Sequence, residues 1–126
     1  MDKIKILLVD DEEDFVQTLS ERIQLRNFDS HVVLNGEAAL QFIEKDVPDV
    51  MVLDLKMPGM DGMQVLRIVK KKHPDIQVII LTGHGSEKDE EEARSLGAFD
   101  YYQKPVEFDT LVKIIKLAYK IRMVTP

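Results

Sequence analysis

The sequence predicts an α/β domain, a doubly wound five-stranded parallel sheet with helices on both faces. Three observations lead there. Short runs rich in β-branched residues alternate with stretches of helical spacing, five of each. The runs are apolar without strand-period alternation, which suits strands covered on both faces. The chain, with 126 residues of which 44% are hydrophobic and 32% charged, has the size and balance of one globular domain. Parallel crossovers are right-handed, so strict β-α alternation winds a single domain, with its core over about residues 4–122.

Each element has its own signature. Residues 4–9 form the first strand run, and Phe15, Leu19 and Ile23 then repeat every four residues as a helix does. The second run is 31–34; Gly36 opens the next helical stretch, which carries Leu40 and Ile43. Pro48 ends the linker before the third run, 50–53, and Pro58-Gly59 with Asp61-Gly62 mark a tight loop after it. Val65, Leu66 and Val69 give the third helix its apolar face, and Lys70-Lys71-Lys72 suit its C-terminal dipole. The fourth run is 78–81. Ser86 followed by Asp89 is a capping-box start for the fourth helix, and Gly97 stands where it stops. A weaker run, 99–102, precedes a fifth helix over about 108–122.

Composition excludes several functions. With no cysteine there is no disulfide framework, thiolate metal site or cysteine nucleophile. Lys+Arg 17 against Asp+Glu 23 gives a net charge of −6, whose field opposes direct nucleic-acid binding. No apolar run approaches a membrane span, and residues 1–5 lead into the first strand without a signal-peptide core. The expectation is a cytoplasmic domain that does not engage a membrane.

In open parallel sheets, sites form at the carboxyl ends of the strands. Four strand ends here carry reactive residues: Asp10-Asp11, Asp54, Thr82 and Lys104-Pro105, with 43, 28 and 22 residues separating Asp11, Asp54, Thr82 and Lys104. Singly, each has an ordinary explanation as a helix start, a strand-end hydroxyl or a solvated lysine. Together they make a constellation. Three gathered carboxylates need a cation, and oxygen donors without His or Cys favour a hard divalent ion such as Mg²⁺. A lysine ammonium and a threonine hydroxyl beside that ion suit a phosphoryl group, leaving one carboxylate as the nucleophile.

The segments Val9-Asp10-Asp11, Asp54-Leu55-Lys56-Met57-Pro58-Gly59-Met60-Asp61-Gly62, Leu81-Thr82-Gly83 and Gly97-Ala98-Phe99-Asp100-Tyr101-Tyr102-Gln103-Lys104-Pro105 resemble a response-regulator receiver domain of the CheY-like superfamily. The resemblance runs over nearly the whole chain. It implies the flavodoxin-like strand order 2-1-3-4-5. It implies that Asp54 accepts a phosphoryl group from a histidine kinase or phosphotransfer protein. Asp10, Asp11, Asp54 and the backbone carbonyl of Lys56 would bind Mg²⁺, with Mn²⁺ as a substitute. Lys104 would pair with phosphoryl oxygens, Thr82 would hydrogen-bond to them, and Tyr101 would turn inward on activation. The Lys104–Pro105 bond would be cis. Lys56 and His84, each two residues beyond a site residue, are candidates for tuning the phosphorylated lifetime.

Three other readings fit these residues less well. A haloacid-dehalogenase-like phosphatase needs a carboxylate two residues after the nucleophile, where Lys56 stands. A dinucleotide-binding module needs a G-x-G-x-x-G after the first strand, where Val-Asp-Asp-Glu stands. A phosphorylation-independent receiver-like interaction module would lack site residues that this sequence carries.

The last two helices add a partner expectation. The fourth is almost wholly charged, which predicts a weakly held, mobile element. The apolar arc of the fifth covers about 220°, wider than core packing requires. Its surplus edge, Ile114, Leu117 and Ile121, is a candidate homodimer surface with the fourth helix and fifth strand. No output domain follows within the sequence, so the effector is expected elsewhere.

Overall fold

The computed structural model describes residues 3–124; residues 1, 2, 125 and 126, and with them the outermost parts of the termini read above, lie outside the described residues. Strands β1 (Lys5–Val9), β2 (Asp29–Val33), β3 (Val50–Leu53), β4 (Gln77–Thr82) and β5 (Asp100–Gln103) alternate with helices. These are α1 (Glu13–Gln24), α2 (Gly36–Lys45), α3 (Gly62–Lys72), α4 (Glu87–Ser95) and α5 (Phe108–Val124). All strand pairs are parallel, in the order β2-β1-β3-β4-β5, as the sequence predicted.

The uniform apolarity of the strands follows from this arrangement. Successive residues point to opposite faces, and both faces are covered. Leu7, Val9, Met51, Leu53, Val78 and Ile80 enter a core with α2, α3 and α4. Ile6, Leu8, Val50, Val52, Ile79 and Leu81 enter a second with α1 and α5. In register, Val9 lies beside Leu53 and Leu53 beside Ile80, so the chain leaves β1, β3 and β4 on one sheet edge.

Apart from shifts of one residue at strand ends, the structure departs from the sequence pattern as follows. β2 begins at Asp29, two residues before the predicted run. Its inward residue there is Ser30, whose hydroxyl meets that of Ser20 at 2.7 Å, a polar pair that apolar periodicity cannot register. In α1 the buried face is Val16, Ser20 and Ile23, whereas Phe15 is 37% exposed and stands over the sheet edge. Asp61-Gly62 is a helix start and not a loop. Asp61 caps α3 in a reciprocal box with Gln64, and at Gly62 a Cβ would lie 2.1 Å from the Asp54 carbonyl oxygen, so only glycine fits. Finally, α5 runs to Val124, two residues past the predicted end.

The fourth helix starts in the predicted capping box of Ser86 and Asp89, and Gly97 follows with φ +103, a left-handed conformation natural to glycine. Among the residues of α4 only Ala93 is buried. No helix among the described residues is long and apolar enough to cross a membrane.

Candidate functional site

The sheet brings the four predicted strand-end positions to one edge. Asp10 and Asp54 leave adjacent strands, tied by the Asp54 N–H donating to the Val9 carbonyl at 3.0 Å. Lys104 leaves β5 with its N–H donating to the Thr82 carbonyl at 2.8 Å. Asp10, Asp54 and Thr82 are buried, at 5%, 4% and 0% exposure. The Lys104–Pro105 peptide bond is cis.

Lys104 Nζ is the hub. It lies 2.7 Å from Asp10 Oδ2, 2.6 Å from Glu12 Oε1 and 3.5 Å from Asp54 Oδ2. The Phe15 ring, exposed beyond the core, lies with its centroid 4.5 Å from the same ammonium, a cation–π contact. Backbone N–H groups fix the carboxylates. Glu12 donates to Asp10 Oδ1 at 2.9 Å and Lys56 to Asp54 Oδ1 at 3.2 Å.

Charges shift accordingly. Burial pushes the Asp10 carboxyl above its ordinary range, with the Asp54 carboxylate adding to it, against hydrogen bonds from Lys104 and the Glu12 N–H. Burial alone would lower the Lys104 ammonium. Its hydrogen bonds to Asp10 and Glu12, and the charges of Asp10 and Asp54, outweigh that and hold it firmly protonated. The exposed Glu12 carboxyl is lowered by its hydrogen bond to Lys104. One ammonium thus serves three carboxylates, and the site keeps an excess of negative charge.

The carboxylate oxygens of Asp10, Glu12 and Asp54 lie within 4.8 Å of one another, an all-oxygen set consistent with Mg²⁺. The donor chemistry fits the expected ion. At the end of β4, Thr82 Oγ1 is buried without a hydrogen-bond partner among the described residues, as is Tyr101 Oη on β5. Buried hydroxyls are seldom left so. Tyr101 is already inward, its hydroxyl over Gly85, where a Cβ would lie 1.6 Å from Oη and 2.8 Å from Thr82 Cγ2.

The other predicted positions fall around this centre. Asp11 is exposed and lies outside the cluster of three carboxylates, which Glu12 completes. Glu12 stands at the N-cap of α1, where the turn of the backbone carries its exposed side chain back to Lys104. The run Asp10-Asp11-Glu12 carried the signal, but only as a choice among neighbours. Lys56 and His84 are exposed at the rim, and Lys56 Nζ pairs with Asp89 Oδ2 at 3.5 Å. Ile114 is half-buried in the core shared with α1, while Leu117 and Ile121 are 48% and 40% exposed, away from the site.

Comparison with known proteins agrees with this geometry. The family model described as the response regulator receiver domain matches residues 6–116. Sporulation initiation phosphotransferase F of Bacillus subtilis is 35% identical over 112 residues, covering 89% of this chain and 90% of that protein. Regulatory protein AtoC of Escherichia coli is 35% identical over 118 residues, covering 94% of this chain but 26% of that protein. The chain likewise spans about a quarter of the length of the NtrX-like regulators it matches. Among solved structures, the receiver domain of the Francisella response regulator 1452 superposes with a TM-score of 0.87 at 31% identity, covering 94% of this chain and 98% of that one. With site, fold and sequence in agreement, the chain belongs to the response regulator receiver domain family of two-component systems.

Proposed function

We propose that this domain is a phosphoryl-accepting switch, in which Asp54 receives a phosphoryl group from a phosphohistidine of a sensor kinase or phosphotransfer protein. One observation carries the reading: Asp10, Asp54 and the Lys104 ammonium converge on one sheet edge beside the unpartnered Thr82 hydroxyl. An Asp54 oxygen forms its bond to phosphorus as the phosphorus–nitrogen bond breaks. The departing imidazole keeps that electron pair and takes up a proton. Lys104 follows the new negative charge and loosens from Glu12. Thr82 donates its orphaned hydroxyl to a phosphoryl oxygen.

Asp10, Asp11, Asp54 and the Lys56 carbonyl would hold Mg²⁺, or Mn²⁺ in its place; Asp11 would turn in from its exposed position, and Glu12, clustered with Asp10 and Asp54, would be a further carboxylate. Bound there, the ion supplies charge neutralisation to the phosphoryl oxygens. Hydrolysis of the aspartyl phosphate returns the domain to its ground state, and Lys56 and His84 at the rim tune that rate. Movement of Thr82, beside a Tyr101 ring already seated over Gly85, shifts the population of the α4–β5–α5 surface. The same surface, with Leu117, Ile121 and the edge of Ile114, is where a second copy would pair. The family's signalling role supports a cytoplasmic setting.

Incubation with Mg²⁺ and acetyl phosphate, followed by intact mass, tests the reading. A phosphoryl adduct is expected on the wild type and none on Asp54→Asn. No adduct on the wild type, or an equal one on the variant, overturns it.

A further inference from the structure

A cleft of about 610 Å³ separates α3 from α4 beside the acceptor loop, lined by Lys56, Met57, Asp61, Arg67, Asp89 and Glu92 among others. Two ion pairs cross it, Lys56–Asp89 and Arg67–Glu92, each at 3.5 Å. They matter because α4 is lightly held: Ala93 is its only buried residue, and on its other side Arg94 pairs with Asp100 of β5 at 3.0 Å. The first pair joins two functional ends. Lys56 is rooted at the acceptor, its N–H bound to Asp54 Oδ1. Asp89 is the N3 residue of the α4 capping box, and its Oδ2 also accepts from the Ser86 N–H at 3.0 Å.

We infer that Asp89 is a positioning residue that holds the Lys56 ammonium on α4 and away from Asp54 until a phosphoryl group competes for it. The inference rests on the phosphoacceptor reading and concerns the regulation of that same site. The competition is physically reasonable. Lys56 is 54% exposed, so its pair with Asp89 is weak and screened by salt. A phosphoryl group on Asp54 brings close to two negative charges to a residue two positions from Lys56. A flexible lysine stem can exchange one anion for the other without moving its backbone. Release leaves Asp89 with its cap but without its cation, and α4 loses one of its two bridges to the α3 side. The arriving charge is thereby felt at the helix whose anchorage is weakest.

The test is a double-mutant cycle on the rate of adduct formation from acetyl phosphate, at fixed Mg²⁺, read by intact mass. Asp89→Asn removes the charge and keeps an acceptor for the Ser86 N–H, so the capping box survives. Freed of its partner, Lys56 then assists the incoming phosphoryl group. The variant is expected to form adduct about two- to five-fold faster than the wild type, a gain that shrinks with added salt. In a Lys56→Met background the same substitution is expected to change nothing. Asp89→Ser, whose hydroxyl can also cap, should repeat both results. An effect of Asp89→Asn that is equal with and without Lys56, or absent in both, overturns the inference and leaves the phosphoacceptor reading intact. A wild type that forms no adduct overturns both.

Discussion

Replacing Thr82 with valine should stabilise the metal-free, unphosphorylated domain while impairing its response. Thr82 is fully buried at the end of β4, and its hydroxyl has no hydrogen-bond partner among the described residues. A buried hydroxyl left unpaired costs about 1–3 kcal/mol of lost hydration. Valine has the same shape and puts a methyl group where the hydroxyl was, so the cost is removed with no cavity formed. The expected gain is about 1–2 kcal/mol, or roughly 3–8 °C in Tm for a domain of this size. Urea unfolding in chelator, without phosphodonor, measures it as a higher midpoint at unchanged slope. Thr82→Ser is the control: it keeps the hydroxyl, loses a methyl and should be destabilised by about 1 kcal/mol. With Mg²⁺ and acetyl phosphate, the serine variant should keep a phosphorylation-induced change in the exchange of α4 and β5 amides, and the valine variant should lose it. A valine variant less stable than the wild type would refute the reasoning, because the hydroxyl must then be satisfied in the resting state and not waiting for a guest.

Further outcomes follow from the same geometry. Gly62→Ala should cost on the order of 3 kcal/mol and lower acceptor reactivity, since its Cβ meets the Asp54 carbonyl at 2.1 Å and the Leu55 Cα at 2.6 Å, backbone that cannot yield without moving Asp54. Thermal unfolding and adduct formation report the two effects. Lys104→Met leaves the Asp10 and Asp54 carboxylates without their ammonium and should destabilise the metal-free domain by about 3 kcal/mol. Mg²⁺ should raise its Tm more than it raises that of the wild type; an equal rise would mean that ion and lysine do not share these carboxylates. The Asp10 carboxyl, raised first by burial, binds its proton more tightly folded than unfolded. Its contribution to stability is therefore present below its unfolded pKa, about 3.9, and is lost as pH rises through the higher folded value. Without metal, Asp10→Asn should gain stability relative to the wild type between pH 4 and neutrality; parallel pH profiles would contradict the assigned shift.

Much of the fold was legible because it depends on local pattern. The β-branched runs, the Ser86–Asp89 box and Gly97 mark their elements wherever they stand, and the sheet order is the one implied by the family resemblance. Where residues act through partners distant in sequence, the pattern is silent. Ser30 pairs with Ile6 in the sheet and buries its hydroxyl against that of Ser20, and Phe15 leaves the helical stripe to stand over Lys104, 89 residues further along the chain.

The sequence by itself determined the alternation of strands and helices, and with it that Asp10, Asp54, Thr82 and Lys104 end on one edge. Side-chain period and strand crossover leave no other outcome once both sheet faces must be buried. Only the tertiary structure decided how these residues are used. The turn into α1 brings Glu12 to the lysine, and the close approach of β5 to the β4–α4 loop seats Tyr101 over Gly85. The packing of β4 left the Thr82 hydroxyl without a partner. The reason is physical: pattern fixes which face a residue takes, whereas hydrogen bonds and ion pairs depend on ångström distances between segments that meet only on folding.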